Sequence, residues 1–291
     1  MKPDSVGVYV DRSRQLRVLD PLGRQMLISC GCALFNARVA FAAAGLGVSV
    51  ERFPDSASPD LLARLVADPQ TEVDPRLAEL DPAIDVRRTN RRRFDDRAVP
   101  AHLVQAIADA AAAEGSELVV VTRPEHRAAL ARLSQLADGI ENANPAYRAE
   151  LRTWTTEDPE RDDGVPAYAV PRVLGNAEDD LPIRDFDTHA AGSLPTQTRS
   201  SLNQCLVLLG AGEDNPLAWL RAGEALERML LVIARMGFTA SPLTQVVELP
   251  RTNAALRDEL GLLMHPYVLL RVGRAPATPA TRRRYLVDMV H

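Results

Sequence analysis

The sequence predicts an α+β protein made of two related halves, each a small, mixed but mainly antiparallel sheet flanked by helices, with a pair of long central helices between them. Three observations carry this prediction. Two long apolar stretches, "RQMLISCGCALFNARVAFAAAGLGVSVERF" and "LAWLRAGEALERMLLVIARMGFTASPLTQVVEL", each read as a long helix that stops at a glycine (Gly45, Gly237) and runs into an extended segment. Each is preceded by a strand, "VGVYV" from Val6 and "CLVLLGAGE" from Cys205. Laid over one another without gaps, the helices keep a constant offset of 192 (223 − 31 and 237 − 45), pairing Gly31 with Gly223, Ala33 with Ala225, Leu34 with Leu226, Ala42 with Ala234, Gly45 with Gly237 and Ser49 with Ser241. In an Ala-rich chain the glycines and the serine are the informative matches, and they read as an internal duplication. Two similar halves about a pseudo-twofold axis amount to a homodimer written as one chain. Two unrelated amphipathic helices that share a stop glycine would be the plainer reading of the same match.

The remaining elements follow in order. From Phe53 to Val86 the density of Pro and Asp reads as a surface crossover with a short helix. "RAVPAHLVQAIADAAAAEGSELVVV" then gives a helix and a strand from Leu118 to Val121, and a second helix runs to about Asn142. The stretch from Asn144 to Phe186 has no steady period and carries repeated Pro, Asp and Gly. Its aromatics Tyr147, Trp154 and Tyr168 make the region 140–190 a candidate lid over a pocket. The first half is assigned to residues 1–80 and the second, with its lid, to 81–291.

Composition excludes several classes. At 46% hydrophobic and 25% charged the chain has an ordinary globular balance, and no uninterrupted apolar run approaches the ~20 residues of a membrane span. The first residues lack the pattern of a secretory signal, so a cytoplasmic setting is expected. Three cysteines, Cys30, Cys32 and Cys205, leave one unpaired under any internal disulfide scheme and have no partner spacing for zinc. A net charge of −5 argues against a dedicated nucleic-acid binder. No nucleophile elbow, phosphate loop or zinc-peptidase motif occurs, "LLGAGEDNPL" has Asn215 where a dinucleotide fingerprint needs Gly or Ala, and the five histidines are scattered.

Two arginine clusters remain: "RRTNRRRFDDRAVP" from Arg87 to Pro100, and "RVGRAPATPATRRRYLVDMV" near the end of the chain. Guanidinium groups fit a phosphate bidentately, so two such clusters brought together by the fold could clamp a phosphorylated ligand. Linear spacing does not show that they meet, and solvated surface charge is the alternative.

The stretch "RRTNRRRFDDRAVP" resembles the Arg-Arg-Ser/Thr-x-Arg…Phe…Val-Pro opening of the FMN-dependent nitroreductase superfamily. "AGEALERMLLVIARMGF" is similar to that family's central helix, and "VLLRVGRA…TP…RR" to its closing strand and arginine tail. The internal match and "YRAELRTWTT…DGVP" narrow the resemblance to the single-chain, pseudo-dimeric, Acg-like subgroup. The resemblance implies a flavin held between two half-molecules. Arg87, Thr89 and Arg91 would meet the FMN phosphate and the pyrimidine edge, Arg283 and Arg284 would join them at the phosphate, and the backbone at Pro242, Leu243 and Thr244 would face the flavin N5 side. It implies an NAD(P)H oxidoreductase with ping-pong hydride transfer to a small electron acceptor such as a nitroaromatic or quinone, with no catalytic side chain, no metal, no nucleic acid and no membrane. Such a chain would act as a monomer, itself a pseudo-dimer, or as a weak homodimer.

The family's other wall, a Pro-Ser-x-x-Asn-x-Gln-Pro-Trp segment ahead of the first strand of a half, is not found. Here the sequence opens on that strand, and in the second half only Gly115 and Ser116 bridge helix to strand. Two expectations follow: a start that lies upstream of Met1, or a degenerate member, catalytically silent, that stores flavin or has lost it.

Overall fold

The computed structural model describes residues 5–172, 181–195 and 204–290. In chain order the strands and helices are β1 (Ser5–Tyr9), α1 (Arg24–Ala43), β2 (Val48–Arg52), β3 (Leu61–Ala67), α2 (Pro75–Ala78), α3 (Asp81–Val86), α4 (Ala101–Ala113), β4 (Glu117–Val120), α5 (Pro124–Asn142), α6 (Pro145–Thr153), β5 (Thr155–Thr156), β6 (Val165–Pro166), β7 (Cys205–Ala211), α7 (Pro216–Arg235), β8 (Thr239–Pro242), α8 (Gln245–Glu248), α9 (Pro250–Leu260) and β9 (His265–Gly273). This is the expected α+β class. One sheet has the order β1-β3-β2 and another β4-β7-β9-β8, all neighbours antiparallel, while β5 and β6 form a short parallel pair. The run β7-β9-β8 repeats the order β1-β3-β2, a strand on either side of the one that comes last in sequence.

The long helices match in more than sequence. Both contain 20 residues and begin and end at the offset of 192. Both close the same way: Gly45 and Gly237 each take φ +74°, a left-handed conformation that side chains with a Cβ avoid. The amide of Leu46 donates to the Phe41 carbonyl as that of Phe238 does to Ile233, each at the equivalent position. At the crossing a Cβ on Gly31 would lie 2.1 Å from the Leu220 carbonyl oxygen, and one on Gly223 would lie 2.0 Å from that of Ile28. Residues 28 and 220 differ by the same 192, so the contact is reciprocal, as across a twofold interface.

By length and composition α1 is apolar enough to cross a bilayer. Arg24, Gln25, Asn36 and Arg38 break its apolar run, and Leu27, Ile28, Leu34, Phe35 and Val39 are buried, Leu34 beside Leu220 and Phe35 beside Leu231 of α7, so its apolarity serves a core.

One expectation needs correction. The Pro- and Asp-rich stretch after Arg52 is no mere crossover: "LLARLVA" forms β3, the central strand of its sheet, with Leu61, Leu62, Ala63 and Leu65 buried. Its run of leucines hides the alternation, since Leu61 and Leu62 are both buried although the side chains of Arg64 and its cross-strand partner Glu51 reach solvent, and the turn residues around it obscure the strand further. Region 140–190 also holds more regular structure than its lack of periodicity suggested. Asn144 caps α6, accepting from the amides of Ala146 and Tyr147, and Pro145 occupies the first turn. Residues 173–180 of that region lie outside the described residues.

Candidate functional site

The arginine stretch is held in place by backbone pairing. Thr89 bridges to Ala240 of β8, and the Asn90 amide donates to the Ala240 carbonyl at 3.0 Å. Asn90 is buried, and its side-chain nitrogen donates to the Pro276 carbonyl at 2.9 Å, while Arg92 Nη1 reaches the Ala277 carbonyl at 2.9 Å and the Asp95 amide reaches Arg274. These bonds lay the tail after β9 alongside residues 90–95 and carry its arginines back over the stretch.

The two clusters therefore meet. Arg87, Thr89, Arg91, Arg283 and Arg284 line one cleft of about 490 Å³, joined by Arg14, Arg88 and Arg282. Two carboxylates, Asp162 and Asp163, share it, and Asp163 is held well below its usual range by the guanidinium groups of Arg14 at 2.8 Å and Arg161 at 2.6 Å. Positive charge is in excess. Arg91 has no carboxylate partner among the described residues; it stacks on Phe186 with its guanidinium 4.7 Å from the ring centre. Burial, then the neighbouring Arg184, pulls its pKa down to about 10. Burial followed by the charges of Arg283 and Arg87 likewise lowers that of Arg88. Cations crowded at the cost of their own charged form mark a place where an anion lowers the energy. Arg87 is additionally anchored, its Nε 3.1 Å from the buried Glu227 carboxylate of α7.

A larger cavity of about 710 Å³ adjoins this cleft and shares Arg14, Gly164, Val165 and Arg284 with it. One wall is β1, the residues 11–20 loop and the Gln25–Ala33 face of α1. The other is α6 with Leu151 and Trp154, then Arg184 and Phe186, and Thr244 and Glu248. Size and apolar walls with a few polar groups are those of a small-molecule site. Of the three residues expected at its face, Thr244 lines it. Leu243 is buried in the core with its amide donating to Leu269 at 2.9 Å, and Pro242 ends β8 without lining the cavity. Tyr147 and Trp154 line it, whereas Tyr168 donates to the Ala280 carbonyl at 3.3 Å in the tail.

Two ties hold α6 and the segment after it against residues 14–19. Glu150 accepts from the amides of Val18 at 3.0 Å and Leu19 at 3.0 Å, and Arg14 bonds Asp163 while stacking on Trp154 at 4.7 Å. Arg14, Arg184 and Phe186 were not legible as site residues, since each reaches the site from a loop without periodicity or motif. Among the described residues no cluster of His, Cys, Asp and Glu could hold a metal ion.

These features define a class: an α+β protein whose two helix-and-sheet units meet through paired long helices, with an arginine-lined cleft running into a larger, open cavity. No family model matches the chain. A protein of Mycobacterium tuberculosis H37Rv named "Putative NAD(P)H nitroreductase Rv3131" is 33% identical over 293 residues, spanning 99% of this chain and 83% of that protein. A second from the same strain, named "Putative NAD(P)H nitroreductase acg", is 30% identical over 294 residues, spanning 99% and 87%. Among solved structures, a nitroreductase with bound FMN from Bacteroides fragilis superposes with TM-score 0.45 at 16% identity, over 73% of this chain and 97% of that one. Similarity in sequence along the whole chain assigns the family: this protein belongs to the NAD(P)H nitroreductases.

Proposed function

We propose that this chain is an FMN-dependent NAD(P)H oxidoreductase of nitroreductase type, working in the cytoplasm as a single-chain pseudo-dimer with a small nitroaromatic or quinone-like acceptor. The observation that carries the proposal is the meeting of Arg87, Thr89 and Arg91 with Arg283 and Arg284 in one cleft that opens into the cavity at Thr244. The residues present fit the cofactor: Arg91 lacks a carboxylate partner among the described residues, the crowded guanidinium groups suit a phosphate dianion, and the adjoining cavity has room for a planar ring.

When bound, FMN would supply two-electron transfer between a reduced pyridine nucleotide and the acceptor. Arg87, Arg91, Arg283 and Arg284 would bind the phosphate, with the Thr89 hydroxyl beside them. Their positive charge also favours the anionic reduced form of the ring. Leu151, Trp154 and Phe186 give the cavity an apolar wall that would shield a bound ring from water, and Thr244 would help to orient it. The reciprocal Gly31–Gly223 crossing, the matched helix ends and the repeated strand order support an internal duplication, with one half in residues 1–80 and the other in 81–291.

A second reading is a flavin-holding protein without turnover, and the ties from Glu150 and Arg14 favour it because they restrain segments that flank the cavity. Titration of the purified chain with FMN, followed by flavin fluorescence, and then oxidation of NADH or NADPH with a quinone added, separates the two. Flavin binding with turnover supports the enzyme, and binding without turnover supports the second reading. Failure to bind FMN sinks both.

A further inference from the structure

Beside the larger cavity lies a buried polar cluster that the anion clamp does not use. Glu141, near the end of α5, is 3% exposed, and Tyr147 of α6 is also 3% exposed. Arg184 of the lid is ion-paired with Glu248 of α8 and donates to the Tyr147 hydroxyl oxygen at 2.9 Å. Gln245 of α8 donates to Glu141 Oε2 at 2.9 Å and to Asp138 at 2.9 Å. Glu141 Oε1 has no hydrogen-bond partner among the described residues, while the Tyr147 phenol is close enough for the two groups to act on each other's titration. Tyr147, Arg184 and Glu248 line the cavity; Glu141 stands behind them.

The charge count sets the chemistry. One guanidinium serves two buried carboxylates, Glu248 and Glu141, and only Glu248 is paired with it directly. Burial, opposed by Arg184 and reinforced by Glu248, raises Glu141 to about 7. Burial pushes the Tyr147 phenol far above its ordinary range, so it does not stand as a phenolate at neutral pH. The pair is thus an acid that holds its proton near neutrality behind a hydroxyl that can pass one but not store its loss.

We propose that Tyr147 is the catalytic proton donor to the acceptor in the larger cavity and that Glu141 is the buried acid that resupplies it. The proposal rests on the oxidoreductase reading above. For a quinone, the hydride brings two electrons and one proton, and the second oxygen then takes the Tyr147 O–H proton. As that bond breaks, the proton of the Glu141 carboxyl passes to the phenol oxygen. The Glu141 carboxylate is then reprotonated from water, so acceptor, hydride and one solvent proton give the hydroquinone.

The near-isosteric variants Glu141→Gln and Tyr147→Phe test this in the full chain, with thermal melts to confirm folding. Without cofactor, infrared titration should show a carboxylic C=O band that disappears as pH rises through about 7 and is missing from Glu141→Gln. In the FMN-loaded protein, stopped-flow reduction of benzoquinone should slow about tenfold per pH unit above neutrality in the parent. Both variants should be slower by about 100-fold at pH 6 and independent of pH, because the general acid is lost. FMN affinity and the rate of reduction by NAD(P)H should not change, which a purely structural role for the cluster would not predict. A band titrating in the ordinary carboxylate range, or variants that keep the parent's pH profile, overturns the relay alone. A parent that binds no FMN overturns the oxidoreductase reading and the relay with it.

Discussion

The Cβ that Gly31 lacks would lie 2.8 Å from the Gly223 Cα, and the one that Gly223 lacks would lie 2.8 Å from the Gly31 Cα. Each glycine opens the space the other's helix needs, so α1 and α7 touch backbone to backbone at the centre of the molecule. The surrounding side chains then form two cores on either side of the crossing, with Leu34, Leu62 and Leu65 in one and Ala225, Met229 and Ile107 in another.

Alanine at either glycine must therefore push the helices apart. Gly31→Ala and Gly223→Ala should each destabilise the protein by about 1–3 kcal/mol through overpacking. The double variant should cost less than the sum, because the second methyl enters a gap already opened. Thermal denaturation checks both points, and an unchanged melting temperature for either single variant would rule out so close a crossing.

Glu224 of α7 has a side chain with no exposed surface, and it accepts from Arg52 at 2.7 Å and 2.9 Å and from Arg38 at 2.8 Å. Arg38 also bonds Glu114, which holds Arg228 as well, so the network joins α1, β2, α4 and α7. In Glu224→Ala, Arg38 keeps Glu114 while Arg52 loses its carboxylate. The expected loss is about 3 kcal/mol in chemical denaturation, the scale for breaking a buried pair. A loss below about 1 kcal/mol would mean that water already serves these arginines.

Arg87 has two jobs that variants can separate. In Arg87→Ala the Glu227 carboxylate is left buried without its guanidinium, so stability and FMN binding should both fall. Arg91→Ala breaks no ion pair among the described residues and should weaken FMN binding about tenfold or more with little change in melting temperature. Equilibrium flavin titration beside thermal melts distinguishes them. If Arg91→Ala and Arg283→Ala both bound FMN as tightly as the parent, the phosphate clamp would be wrong.

Glu141 also predicts a pH dependence of stability. Its folded pKa, about 7, lies above the unfolded value near 4.5, so between those limits the folded state holds the proton more tightly. This carboxyl should therefore lower stability progressively as pH rises from about 4.5 to 7, with no further change above. Glu141→Gln should flatten that part of the profile and melt higher than the parent at pH 8. A profile that matches the parent's across pH 5–8 would contradict the raised pKa.

The larger plan was legible from particular residues. Gly45 and Gly237 mark helix ends because only a residue without a Cβ takes φ +74° readily, and a register of 192 is a property of linear order. Asn90, one residue in a conspicuous arginine run, gave no sign of its role; its amide side chain stitches the tail to that run through Pro276, 186 residues away. Strand β3 was missed because the buried run Leu61, Leu62, Ala63 and Leu65 leaves only Arg64 to mark its alternation.

By itself, then, the sequence determined which segments become helix or strand where period and stop signals are strong, the existence of two arginine clusters, and the correspondence of the long helices. Tertiary structure alone decided that the clusters share a cleft, that Thr244 but not Leu243 reaches the cavity, and that Glu141, Tyr147, Arg184 and Glu248 form one buried group. The physical reason is range. Helix periodicity and glycine dihedrals act over a few residues, whereas burial and charge pairing depend on which distant segments the packed core brings together.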